Sequence, residues 1–200
     1  MFNLFEYKAQ SEVFSSTKTL AKLGSVSIGP SNNLGKGVFS PIDCRRGGRT
    51  YKLRAVLKNV TVGPQGSMFT TGQYGDKCDA FFTLSASQEA ELASLCTLHE
   101  QKLFLKHTSV DDVIQLQTEL LSDQTTITVK VKVSPKVSGD LWEEEENDLE
   151  GKSSILSNCE TPLDVTLFIS GYYFNPKENS IRLCMTCVNV DKNRQTVKRR

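Results

Sequence analysis

Apolar and polar residues alternate with period two over "YKLRAVLKNVTV", residues 51–62. Tyr51, Leu53, Ala55 and Leu57 share one face, and Lys52, Arg54, Val56 and Lys58 the other. Successive side chains of a strand point to opposite faces, so the pattern predicts a half-buried strand. "DAFFTLSA", 79–86, resumes strand character, as does "TTITVKVKVSPK", 125–136, with Ile127, Val129, Val131 and Val133 inward and Thr128, Lys130 and Lys132 outward. Near the end, "DVTLFISGYYF" and "SIRLCMTCVNV" flank "NPKEN". Asn175-Pro176 and Asn179 are turn chemistry, so the two runs predict a β-hairpin. Upstream, "LGSVSIG" predicts a short strand, "GPSNNLGKG" a loop, "CRRGGRT" a hairpin or a flexible basic loop, and "GPQGSMFTTGQYGDK", 63–77, a long polar loop.

The period changes after residue 86. "SQEAELASLCTLHEQKLFLK" carries Leu92, Leu95, Cys96 and Leu103 on a helical pattern with Ser87 as its N-cap. "SVDDVIQLQTELL" sets Asp112 three residues after Ser109, a variant of the capping box, with Val113, Leu116 and Leu120 at helical spacing. Strands, then helices, then strands, without internal repeat, predict a mostly β chain with a helical insertion, of the α+β class. The order fits an oligonucleotide-binding (OB)-like antiparallel β-barrel with one or two helices between strands. A sandwich with helical cover has similar element order. The chain reads as one domain, 1–200, with its core over about 20–190.

Charge sharpens this picture. The formal net charge is +1, but "DLWEEEENDLE", 140–150, holds seven acidic residues and no basic one; the remaining chain carries 24 basic and 16 acidic side chains. A block of like charge repels itself, so 138–158 is expected to be a disordered acidic loop on a distinctly basic body. The chain ends in a basic tail over 191–200, a candidate import signal or added phosphate contact. "MFNLFEYKAQSEVF" carries no basic segment leading into an apolar stretch, and no window approaches the roughly 18–20 apolar residues of a membrane span. The expectation is a soluble, intracellular protein with no membrane partner, in nucleus or cytoplasm. Its six cysteines then stay reduced as small hydrophobes. Cys184 and Cys187 match C-x-x-C, but on a strand they face opposite ways, and no further ligand pair completes a zinc site.

The pattern carries little catalytic chemistry. His99 and His107, the only histidines, fall in the helical stretch, and no nucleophile elbow, zinc-helix motif or P-loop occurs. Asp111-Asp112 has a capping explanation. The chain reads as a non-enzyme without a cofactor or metal. What remains is a basic and aromatic set: Lys52, Arg54 and Lys58 on one strand face, Lys130 and Lys132 on another, and Arg45, Arg46 and Arg49 in the neighbouring loop. Single-stranded nucleic acid is held by such cations along its phosphates and by rings that stack on its bases. Phe69 and Tyr74, in the glycine-rich loop, are candidate stacking rings. So is Tyr173, the outward member of Tyr172, Tyr173 and Phe174, whose strand parity sends it opposite to its two neighbours. Strand lysines are also the ordinary wet face of a half-buried sheet.

In the order of "YKLRAVLKN", "DAFFTLSAS" with its following helix, "ITVKVKVSPK" and the terminal "DVTLFISGYYFNPKENSIRLCMTCVNV" hairpin, roughly residues 35 to 190, the chain resembles the single-stranded DNA-binding proteins of large double-stranded DNA viruses. Those viral proteins are distantly related in architecture to the phage OB-type helix-destabilising proteins. The resemblance implies a protein that coats exposed single strands during viral DNA replication, recombination or repair, without sequence specificity and without a cofactor. Functional relatives end in an acidic tail that recruits replication partners; here the acidic run is internal and is the candidate docking element for them. Two other readings stand beside this one: a non-enzymatic virion structural or interaction protein with a β-sandwich, and an RNA-binding regulator. Oligomeric state is not legible.

Overall fold

A computed structural model describes residues 2–6, 14–15, 25–92, 114–115, 118–120, 127–142, 148–178 and 180–193. The readings on Cys96, His99, His107, the four consecutive glutamates 143–146 and the tail beyond 193 lie outside the described residues. The chain divides into two compact units. One is Met1–Ala55, Ser87–Gln117 and Phe168–Met185; the other is Val56–Ala86, Thr118–Leu167 and Thr186–Arg200. Three long strands contribute residues to both. The chain is mostly β, of the α+β class, and its strand pairings are compatible with an OB-like barrel.

In the first unit, β1 (Phe2–Glu6), β2 (Phe14–Ser15), β3 (Ser25–Ile28) and β4 (Asn32–Leu34) precede the hairpin of β5 (Gly37–Arg46) and β6 (Arg49–Val60). Gly47 and Gly48 make its two-residue turn with φ of 57° and 76°. Such a turn matches strand twist when both central residues have positive φ, which glycine adopts without a steric penalty. The register Cys44↔Tyr51, Arg45↔Thr50, Arg46↔Arg49 follows. β1 pairs with β6, β3 and β4 with β5, and residues 171–174 of β12 (Leu163–Asn175) also with β5, all antiparallel. Ile42 and Cys44, Tyr51 and Leu53, and Ile181 and Leu183 are buried here with period two, while on β12 the alternation that buries Ile169 breaks at Gly171, so that Tyr172 is buried as well. The turn after β12 is closed by Asn175 Oδ1 accepting from Lys177 N at 3.1 Å, after which β13 (Ser180–Lys192) begins.

The second unit is built on β7 (Val62–Thr70), β8 (Lys77–Leu84) and β11 (Ile127–Ser138), antiparallel in the order β7–β8–β11. β11 also pairs with β13, in parallel, at Lys132↔Thr186 and Val133↔Cys187. Phe82, Val129, Val131, Val133, Leu163, Val165 and Leu167 are buried within this unit. Helix α2 (Leu149–Ser157) packs on β7 and β8.

Four readings need correction. The stretch 63–77 is not one polar loop: β7 occupies most of it, and a register shift between Val62 and Ser67 interrupts the alternation that would have revealed a strand. Of the two helices, α1 is helical over 86–92, with Ser87 inside its first turn and not at the cap. The second is overturned at its described residues. β9 (Ile114–Gln115) pairs with Ile181–Arg182, and β10 (Thr118–Leu120) with Val129–Ile127. β-branched Ile114 and Thr118 suit that ladder, and pairing prevails over a weak helical period. Finally, 138–158 is not a disordered loop at either flank. Leu141 is buried and Trp142 Nε1 donates to the Ser138 carbonyl at 3.0 Å. Asp148 caps α2, its carboxylate accepting from Gly151 N at 2.7 Å. At its described flanks the run carries apolar Leu141 and Trp142 and the capping Asp148.

Candidate nucleic-acid interface

The β5–β6 turn positions the cations of the first unit. Its register sets Arg45 across from Thr50, and therefore on the face shared by Lys52 and Arg54. Arg45 is exposed, while Lys52 and Arg54 are half-buried. Burial lowers the Arg54 pKa from its ordinary value, because a guanidinium held partly out of water favours its charged form less. Arg49 belongs to the opposite parity, that of Tyr51, and is exposed at the hairpin tip. Arg46 pairs with Arg49 in register; its side chain is not among the described ones. The arginines therefore do not form one uniform patch: Arg45 continues the strand face and Arg49 flanks it.

That face also carries an acid. Asp43, one residue before the Cys44↔Tyr51 pair, reaches Lys52, with Oδ1 3.5 Å from Nζ. The second unit repeats the motif. Asp79 lies directly across from Lys132 on β11 and bonds the neighbouring Lys130, Oδ2 to Nζ 3.1 Å. Lys130 Nζ stands 5.8 Å from the Phe81 ring centre. Its stem thus helps cover Phe81, which shares this outer face and is nevertheless buried. Thr128, expected to face outward, is fully buried; a β-carbon at Gly63 would lie 2.7 Å from its methyl group. Lys58 and Lys132 are exposed.

The aromatic candidates separate. Tyr74 is 92% exposed in the turn between β7 and β8. Phe69 lies in β7 opposite Cys78, half-buried, which corrects its placement in an exposed loop. Tyr173 takes the opposite parity from fully buried Tyr172, but it is half-buried. Its ring stands over Gly37, where a β-carbon would fall 2.5 Å from Tyr173 Cζ, and its hydroxyl donates to the Leu34 carbonyl at 3.4 Å. Tyr173 thus braces the β4–β5 turn. Phe174 is half-buried as well.

The acid partners Asp43 and Asp79 are what sequence reasoning missed. Asp43 was within reach: a two-residue Gly-Gly turn fixes it opposite Lys52. A cleft of about 580 Å³ in the second unit, lined by Leu141, Ile155, Asn158, Cys159 and Lys192 among others, includes none of the predicted site residues. Among the described residues no cluster of three His, Cys, Asp or Glu side chains forms a metal site. Cys184 and Cys187 alternate between half-buried and buried, as strand parity demands. No described helix is long and apolar enough to cross a membrane. No protein-family model matches the sequence, and no curated protein matches it.

Proposed function

We propose that the protein binds single-stranded nucleic acid, DNA foremost, without reading its sequence. The observation that carries this is the β5–β6 hairpin, whose turn sets Arg45 on the strand face of Lys52 and Arg54, with Arg49 exposed at the hairpin tip on the opposite parity. Several cations along one strand face can follow a phosphate backbone, and affinity then comes from counterions released by the nucleic acid. In the second unit, Lys58, Lys130 and Lys132 supply further cations, and Tyr74 a ring accessible on its surface for stacking. Coating of exposed strands during viral replication, recombination or repair is the role that suits a binder of this kind. The acidic run would dock replication proteins.

A second reading has its own observation. Lys52–Asp43 and Lys130–Asp79 are ion pairs of the sort that lace any solvated sheet face. A structural or interaction protein would carry them equally well. Fluorescence-anisotropy titration with oligothymidylate, its ribo-counterpart and a duplex separates the readings. Tightest binding to oligothymidylate supports single-stranded DNA binding, and tightest binding to the ribo-oligomer supports the RNA reading. Absence of salt-sensitive binding to all three supports the structural protein.

A further inference from the structure

Two half-buried lysines, in separate units, each carry a carboxylate from the adjacent strand. Lys52 Nζ lies 3.5 Å from Asp43 Oδ1, and Lys130 Nζ lies 3.1 Å from Asp79 Oδ2. In each case the acid projects from the outer strand face that carries the candidate cations. Asp43 is opposite Lys52 and two residues from Arg45 on the same face, and Asp79 is opposite Lys132 and diagonal to Lys130. At 3.1 Å, Asp79 Oδ2 takes a place on the Lys130 ammonium that a phosphate oxygen could take, while Asp43 Oδ1, at 3.5 Å, offsets the Lys52 charge over a longer ionic contact. All four side chains are about one-third exposed or less. The pairs are therefore screened less than fully exposed ones, yet remain within reach of a ligand.

We infer that Asp43 and Asp79 are built-in competitors for phosphate, holding Lys52 and Lys130 in the unliganded protein and yielding them when a strand binds. This rests on the functional reading above and adds to it the residues that regulate affinity. The carboxylates act as internal phosphate mimics. Each raises the threshold for a phosphate contact within its own unit, because a phosphate must displace the carboxylate to take the ammonium. Each displaced pair subtracts its own energy from binding, which for partly exposed ion pairs is modest.

The test is a double-mutant cycle in the full-length chain, read as oligothymidylate affinity at low salt, with thermal melting to confirm folding. Asp43→Asn and Asp79→Asn should each tighten binding about two- to fivefold. The gain should vanish when Lys52→Ala accompanies Asp43→Asn, or Lys130→Ala accompanies Asp79→Asn, because no ammonium is left to release. Glu89→Gln in the first unit and Asp76→Asn in the second remove the same charge away from these lysines and should change affinity less. Isosteric Asn keeps the fold, and a variant that melts early is replaced by Asp→Ser at the same position. A gain that persists without the lysine, or that the control substitutions equal, shows a net-charge effect and overturns the proposal. Unchanged affinity in a binding-competent protein also overturns it and leaves the functional reading intact. If neither the parent nor either Asn variant binds, both fall; if only the Asn variants bind, the competitor role is established in its strongest form.

Discussion

The Tyr173 hydroxyl, 3.4 Å from the Leu34 carbonyl, and the ring packed over Gly37 make this side chain a brace for the β4–β5 turn. Tyr173→Phe should therefore cost less than about 1 kcal/mol, the range of one partly exposed hydrogen bond. Tyr173→Ala should cost about 1–3 kcal/mol, as loss of a half-buried ring does. Urea unfolding of both variants checks this, and a Tyr173→Ala protein of unchanged stability that loses oligonucleotide binding would restore the ring to the interface. Cys187 offers a second test at this scale. Burial pushes its thiol up to about 12 from an ordinary 9.0, against a smaller opposing hydrogen bond to the Asn189 backbone and with a further push from Cys78. A raised folded-state pKa means the folded protein keeps a proton that the unfolded chain releases. The contribution is fully present below about pH 9 and is lost as pH rises toward about 12. Between those values the urea midpoint of the parent should fall more steeply than that of Cys187→Ala; parallel curves would contradict the assignment.

Helix α2 is the element that charge patterning hid most effectively. Its N-cap is Asp148, one of the seven acids that made the run look featureless, and its far end is pinned to β7. Ser157 Oγ accepts from Ser67 N at 3.0 Å and donates to Ser67 O at 3.2 Å, and Ser153 Oγ lies 3.0 Å from Ser67 Oγ. Lys152 is buried, its ammonium donating to the Pro135 carbonyl at 3.3 Å and standing 6.0 Å from the Trp142 ring centre. Asp148→Ala should therefore destabilise by about 1 kcal/mol. Deleting 140–150 removes that cap together with buried Leu141 and should cost about 3 kcal/mol or more. Thermal and urea unfolding measure both; a deletion that leaves stability unchanged would show that these contacts carry no weight. The strands were far more legible. Period-two alternation located β6, β8, β11, β12 and β13, because each has one apolar face to bury. It failed at β7, where the bulge breaks parity, and at β9 and β10, which are two and three residues long. Such short segments form through their partners and carry no period of their own.

At the scale of the whole molecule, a net charge of +1 results from 24 basic and 23 acidic side chains, with seven of the acids in the run 140–150. The cation positions were readable from alternation alone. Their pairing with Asp43 and Asp79 was not, because an ion pair depends on register between strands, and only the Gly47–Gly48 turn discloses register locally. Nucleic-acid binding requires that those cations meet phosphates. The most direct measurement is the salt dependence of oligothymidylate affinity for the parent chain and for an Arg45→Ala, Arg49→Ala variant. The log–log slope should be negative in the parent and should flatten by up to about 0.7 for each phosphate contact removed, with the variant's melting temperature unchanged. A parent that does not bind at low salt, or a variant whose slope equals the parent's, would contradict nucleic-acid binding through the β5–β6 hairpin.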